Sequence, residues 1–342
     1  MGEDRTQHLR ESPDMIELTA YIACAVGIAL PTIPGLLQLR QARKDSITID
    51  QRYSRDPRYM GTSWRRTVDP ILESASGERV PFLKRKGEFA SVMADATLPN
   101  GALVNDVILA RGSFSAGRAA SLLDVYAKGT VVIGPDSHVR CLAADNTTTI
   151  GDRTVVTRWV DVEGDLSVGR FCDLGASASA TGRLTVDSGT RFRRMFAAPV
   201  VVAGASTAPA AADKRLRRGS TLIVKPGEKV AGDVIVPHDV EIGDGALIDG
   251  SITAGGDVRI GSGVQIHGSV ISRGHTTIGQ RSIVLGHIFG DRSVAIASSA
   301  TIGTAEYPKT VQSTEALQLA PGARVYGWVI CERGGTTVVI GA

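Results

Sequence analysis

The feature that most constrains the fold is a repeat of 18 residues in the second half of the chain. Four glycines stand 18 residues apart, each two residues before an aliphatic side chain: Gly232, Gly250, Gly268 and Gly286. Four isoleucines keep the same spacing: Ile242, Ile260, Ile278 and Ile296. A fixed period of this length indicates a stacked architecture, because one unit cannot bury its own apolar face and its neighbours must complete the core.

A finer pattern within each repeat predicts short β-strands. Two rows of small aliphatic residues recur at every sixth position, one from Val240 to Val270 and the other from Ile242 to Ile266. The rows are offset by two residues, so one outward side chain separates each inward pair, as in a β-strand. Glycine-rich corners after each pair permit the chain to bend. We therefore predict an all-β fold, a triangular parallel β-helix (β-solenoid) with three strands and about 18 residues per coil.

The first half of the chain carries the same unit. Residues 96–117 align without a gap with residues 240–261, and the shared residues include Gly101, Ile108 and Gly117. Between the halves, residues 201–219 lose the period and are rich in alanine and basic side chains, which is typical of a flexible linker. The sequence thus predicts two solenoid blocks, 80–200 and 220–342.

The N-terminal region predicts a membrane anchor. The stretch from Leu18 to Leu39 has no charged residue and is long enough to cross a hydrocarbon core of roughly 30 Å, so we predict a transmembrane helix over residues 15–39. A cleaved secretory signal is the alternative. It requires a positive start, whereas the tail over residues 1–14 is acidic.

Basic residues follow the predicted helix and indicate its orientation. Arg40, Arg43 and Lys44 flank it directly, and the segment 40–79 continues with further arginines that include Arg58 and Arg65. Cationic flanks stay on the cytoplasmic side and can contact anionic lipid headgroups. We expect a single-pass membrane protein with its N-terminus outside and its bulk in the cytoplasm. Four cysteines without a CxxC pair fit a reducing compartment.

The sequence offers little that could perform chemistry. The histidines lack the spacing of metal ligands, and the G-x-G motifs near Gly245 and Gly263 are not followed by the pattern of a nucleotide-binding helix. The net charge of +3 is small, and the basic run over residues 214–218 has no aromatic neighbours to stack on bases. We predict no enzyme activity, no cofactor, no metal and no nucleic-acid partner.

One enzymatic alternative stays open. The motifs "IGDGAL", "IGSGVQ" and "IGQRSI" resemble the hexapeptide repeat of left-handed β-helix acyltransferases. That resemblance implies sites between the subunits of a trimer that use a histidine. His267 would then be the candidate base.

The C-terminal end of the chain favours self-association. The repeat pattern continues through residues 325–342 without a helical or charged cap, and an uncapped solenoid exposes unpaired backbone and core side chains. We therefore predict that the chain forms homo-oligomers through this end, using Tyr326, Trp328, Val338 and Ile340.

With these features together, the chain resembles the bactofilin family of polymer-forming cytoskeletal proteins. The resemblance rests on G-x-[VI] and V-x-I-G recurring every 18 residues, and it covers residues 220–296 and, more loosely, 80–190. It implies a right-handed β-helix, polymerisation without a cofactor, and a role in localising envelope-building enzymes. We therefore expect a membrane-anchored scaffold that organises or localises cell-envelope or polysaccharide-synthesis proteins at the bacterial inner membrane.

Overall fold

The computed structural model describes residues 56–75, 79–82, 88–204 and 221–338, all of which lie in one compact unit. The predicted membrane helix, the acidic tail and the flanking Arg40, Arg43 and Lys44 fall outside the described residues. So do residues 205–219 of the predicted linker and residue 220 of the predicted second block. Among the residues that are described, no helix is long and apolar enough to span a membrane.

Within these residues the chain forms one helix and 32 strands. The helix, α1, spans Tyr59–Ser74. The first block contains β1 Arg79–Pro81, β2 Phe89–Met93, β3 Ala96–Leu98, β4 Leu103–Val104, β5 Val107–Ala110, β6 Phe114–Ala116, β7 Ser121–Ala127, β8 Val131–Ile133, β9 His138–Ala144, β10 Thr148–Ile150, β11 Val155–Val162, β12 Leu166–Val168, β13 Ser177–Ala180, β14 Leu184–Val186 and β15 Arg191–Val202. The second block contains β16 Leu222–Val224, β17 Lys229–Ala231, β18 Val234–Val236, β19 Val240–Ile242, β20 Leu247–Asp249, β21 Ile252–Ala254, β22 Val258–Ile260, β23 Gln265–Ile266, β24 Val270–Ser272, β25 His275–Ile278, β26 Ile283–Val284, β27 Ile288–Gly290, β28 Ser293–Ile296, β29 Thr301–Ile302, β30 Lys309–Ser313, β31 Ala316–Leu319 and β32 Arg324–Thr337.

The second block is a β-solenoid with three strands per coil, as the repeat predicts. Each strand from β16 to β29 pairs in parallel with the third strand after it, so that Ile242 lies beside Ile260 and Ile260 beside Ile278. The two predicted aliphatic rows point inward and are buried. They belong to one hydrophobic core that continues from Ile108 in the first block to Cys331 in the second. In the described part of the chain the two blocks together comprise about thirteen coils of about 18 residues.

An insertion explains why the period weakens after Ala297. Val284 lies beside Ile302 at the normal spacing, but Ile302 lies beside Val325, five residues further along than the period requires. The extra residues occupy the loop between β29 and β30, which contains the exposed Tyr307. From Val311 to Val329 the spacing is 18 again. The loop therefore extends from a corner of the solenoid, and the parallel strand pairing continues on both sides of it.

Coils of the first block are shorter, which accounts for its looser repeat. Val104 pairs with Leu122, but Ile108 pairs with Val125, so one residue is lost at the corner between these pairs. In the second block two separate strands flank the equivalent corner. In this coil of the first block they are joined into one longer strand, β7. Later coils of the first block return to the spacing of 18, as between Leu166 and Leu184.

The glycine row of the repeat exists because successive coils come very close at one corner. A Cβ atom on Gly250, Gly268 or Gly286 would collide with the backbone carbonyl of the glycine one coil earlier. None of these three has a φ in the left-handed region; in this row only Gly232, in the first coil, does. The expectation that these glycines serve to bend the chain is therefore corrected for three of the four. At these positions a residue without a side chain is needed because the backbone of the preceding coil is too close for a Cβ atom.

Gly268→Ala is expected to lower the free energy of unfolding by about 1–3 kcal/mol, because the added methyl group overpacks a corner made of backbone atoms. Urea denaturation followed by circular dichroism measures the loss. Gly263→Asn is the control, since Gly263 has a φ of 68°, which asparagine tolerates, and open space around it. Equal stability of Gly268→Ala and the wild type would contradict the close-approach explanation.

Aspartates at the corners also act between coils. Asp244 Oδ1 accepts a hydrogen bond from the backbone N–H of Ser262 at 2.7 Å, and Asp257 Oδ1 accepts one from that of His275 at 2.9 Å. Each acceptor lies 18 residues before its donor. These acids therefore satisfy backbone donors of the next coil.

The two blocks meet at their C-terminal ends. β15, the last strand of the first block, pairs antiparallel with β32, the last strand of the second. Met195 lies beside Val329 in this pair, and both side chains are fully buried. The blocks are thus stacked tail to tail around one shared core.

Candidate functional site

The predicted self-association end is occupied within the chain itself. Tyr326 and Trp328 lie in β32, and Trp328 is directly opposite Phe196 of β15, with ring centroids 5.2 Å apart. Val338 follows β32 and is 38% exposed, whereas Ile340 lies outside the described residues. The expectation of a C-terminal end that is free to bind another copy is therefore corrected. The end has no cap because it is stacked on the first block of the same chain.

The N-terminal end of the second block is open among the described residues. β16, β17 and β18 pair only with β19, β20 and β21 of the next coil. Ile223 and Ile235 point outward from this first coil and are 63% and 73% exposed. In the next coil the corresponding residues are Glu241 and Thr253. Sequence analysis missed this end, although aliphatic residues at outward positions were a signal that could have identified it.

Helix α1 covers the outer face of the first block. Its apolar residues lie at helical spacing and include Trp64, Val68 and Leu72. They form a second hydrophobic cluster with outward side chains of the sheet, such as Leu109 and Trp159. The ring centroids of Trp64 and Trp159 are 6.3 Å apart. The helix thus buries a sheet face that would otherwise expose large apolar side chains.

Asp161 of β11 fixes the position of this helix. Its carboxylate is buried and accepts two hydrogen bonds from the Arg58 guanidinium, at 3.1 and 2.9 Å, and one from Ser179 Oγ at 2.7 Å. Arg65 Nη1 also donates to it in a short contact. Gly61 permits the close approach, because a Cβ at that position would collide with the carboxylate. Arg58 and Arg65, which the sequence relates to membrane topology, therefore contact protein carboxylates.

A second carboxylate extends this network. Asp145 accepts a hydrogen bond from Arg65 Nε at 2.7 Å and another from the Tyr126 hydroxyl at 2.8 Å. The same hydroxyl is 3.0 Å from Asp69 of α1. Burial alone lowers the pKa of Arg65, but hydrogen bonds to Asp145 and Asp161 outweigh it and raise the pKa above its ordinary value. The buried guanidinium is thus fully charged and paired on both sides.

His267, the candidate base of the enzymatic alternative, lies on the outer surface of the second block. Its Nδ1 is 3.0 Å from Asp249 Oδ1 in the preceding coil, and the two side chains are 46% and 70% exposed. A carboxylate in this position can orient an imidazole.

The cysteines of the described chain lie in the core. Cys141, Cys172 and Cys331 are buried and free, and Cys24 falls outside the described residues. Burial raises the pKa of the Cys141 thiol to about 12 and that of Cys172 to about 11. Both thiols are therefore protonated at neutral pH and poorly nucleophilic. Across residues 56–75, 79–82, 88–204 and 221–338, no three His, Cys, Asp or Glu side chains come together as a metal site.

No family model, curated protein or solved structure matches this chain. Its function therefore has to be argued from the geometry just described and from the sequence pattern.

Proposed function

We propose that the chain is a non-enzymatic, self-associating scaffold that assembles through the open end of its second block. The observation that carries the proposal is the first coil, β16–β18, with its unpartnered strand edges among the described residues and its exposed Ile223 and Ile235. Such an edge presents backbone N–H and C=O groups that can pair with another chain. Its apolar outward side chains strengthen the same contact, because they leave water when two ends meet.

Membrane attachment and an envelope role belong to the same proposal. They are supported by the uncharged stretch Leu18–Leu39, the basic flank Arg40, Arg43 and Lys44, and the resemblance to polymer-forming cytoskeletal proteins. An anchor confines the chain to two dimensions, which raises its effective concentration and favours weak end contacts. The partner that we propose is a cell-envelope or polysaccharide-synthesis protein at the bacterial inner membrane.

The double variant Ile223→Glu with Ile235→Glu tests assembly in the full-length protein kept in mild detergent. Like charges facing each other across paired strands are destabilising, so the variant is expected to remain in its smallest species where the wild type forms larger ones. Sedimentation velocity and negative-stain electron microscopy over a range of concentrations measure this. Ile271→Glu is the matched control, because Ile271 occupies the column of Ile235 two coils further on and is 40% exposed.

Assemblies of unchanged size in the double variant would refute the end contact. Compact three-fold particles of constant size would instead favour the alternative, a left-handed β-helix acyltransferase with His267 as base. The specific support for that alternative is the contact between His267 Nδ1 and Asp249. In that case His267→Ala, assayed with an acyl donor, becomes the next experiment.

A further inference from the structure

A basic trough runs along the junction of the two blocks. It consists of two adjoining cavities of about 470 and 480 Å³, which share Ala176 and Arg193 in their walls. The first is also lined by Arg333 and Thr157, and the second by Arg158, Arg194 and Trp328. We call these two cavities together the junction trough. Both blocks contribute to it, so it exists only where β15 and β32 meet.

Irregular strand pairing puts the arginines into the trough. β11 and β9 shift register between Val156 and Trp159, so that Arg158 lies in a bulge. β15 and β32 shift between Phe192 and Arg194, so that Arg193 faces the unpaired stretch that contains Arg333. Gly334, with a φ of 115°, makes that stretch possible. Bulges re-aim side chains, and here the irregular pairing places arginines from both blocks along the walls of one trough.

Four arginines of the trough lack the carboxylate partner that several others on the solenoid have. Several arginines elsewhere on the solenoid lie beside an aspartate, as in Arg118 with Asp136 at 2.8 Å and Arg140 with Asp124 at 2.6 Å. In the trough, Arg191 follows this pattern with Asp173 at 3.2 Å. Within the described parts of the chain, Arg158, Arg193, Arg194 and Arg333 form no ion pair. Four cations against the two remaining carboxylates of the trough, Asp56 and Glu332, leave its charge positive.

We infer that the junction trough binds a ligand that carries oxyanions, either phosphate groups or the carboxylates of an acidic sugar chain, with Arg193 and Arg333 as its main contacts. Guanidinium groups present paired N–H donors that match the two oxygens of a carboxylate or phosphate. The hydroxyl of Thr336 adds a donor in the same cavity. Trp328 provides a partly exposed aromatic ring in the adjoining one.

This inference is independent of the proposed scaffold function. The trough lies at the C-terminal junction, whereas assembly is assigned to β16–β18 at the opposite end of the second block. A variant of one surface leaves the other unchanged, so the two ideas can fail separately.

Isothermal titration of the full-length protein in mild detergent tests the inference with two probes, sodium pyrophosphate and a short oligogalacturonate. We expect at least one probe to bind, and Arg193→Ala and Arg333→Ala each to weaken it by about tenfold, as expected when a charge-assisted hydrogen bond is lost. Raising the salt concentration should weaken binding further. Arg183→Ala is the matched control, because Arg183 is an exposed arginine on the same block that lies away from the trough.

The two probes distinguish the sources of the anion. Binding of pyrophosphate alone assigns the trough to phosphate esters, and binding of oligogalacturonate alone assigns it to acidic glycans. Circular dichroism spectra identical to the wild type show that the variants are folded. The inference is overturned if neither probe binds, or if Arg183→Ala weakens binding as much as the two trough variants do.

Discussion

Asp161→Asn is expected to release α1 from the solenoid and to lower the free energy of unfolding by about 3–5 kcal/mol. The reason is that Arg65, 8% exposed, would keep its charge in a buried position after losing the most buried of its three carboxylate partners. Arg58 would lose its paired hydrogen bonds at the same time. Urea denaturation followed by tryptophan fluorescence measures the change, because Trp64 of α1 packs edge-on against Trp159.

Asp152→Asn is the control for this variant. Asp152 pairs with Arg170 at 3.7 Å, and both side chains are substantially exposed, so the loss should stay below about 1 kcal/mol. If both variants were equally stable, Asp161 would not be the residue that holds the helix in place.

Met195→Asp is expected to open the junction between the blocks and to cost more than about 4 kcal/mol. Met195 is fully buried between Ala178 of β13 and Val329 of β32, so an aspartate there would have no partner for its charge. Because the contacts inside each block remain, the blocks should then unfold in two separate transitions. Circular dichroism in urea detects the transitions, and small-angle X-ray scattering detects the increase in size.

Thr336→Asp provides the comparison for this second variant. Thr336 lies opposite Arg191 in the same strand pair, and it is exposed, so the same charge is added at solvent. Its stability should match that of the wild type within about 0.5 kcal/mol. A single transition and an unchanged radius in Met195→Asp would mean that the antiparallel pair does not hold the blocks together.

The sequence was sufficient to predict the coils of the second block, because each one must present the same side chains to its neighbours. The period places Val240, Val258 and Ile260 on the inward face of their strands, and all three are buried. Shortened corners in the first block blur the same signal without changing the architecture, since the strands still pair in parallel. The period of the sequence therefore predicts those parts of the fold in which each coil repeats the contacts of the coil before it.

Contacts that occur only once in the fold could not be predicted from the sequence repeat. Asp161 is more than 90 residues from Arg58 and Arg65, and nothing local to "WVDV" shows that its carboxylate is covered by a helix. The pairing of β15 with β32 joins residues more than 100 positions apart, and an uncapped end is equally compatible with a second copy. Arg193 and Arg333 face each other in the junction trough only because of the register of that single pair.

The tail-to-tail pairing of β15 and β32 makes the covalent order of the two halves dispensable in principle. Hydrogen bonds and a shared core already hold Met195 against Val329, whether or not the peptide chain runs on from Gly204 to Thr221. Two separately made halves could thus recombine into the same particle, and a rearranged gene that encodes the second half first would specify the same architecture. Evolution could for that reason exchange one half for another while keeping the rest of the molecule.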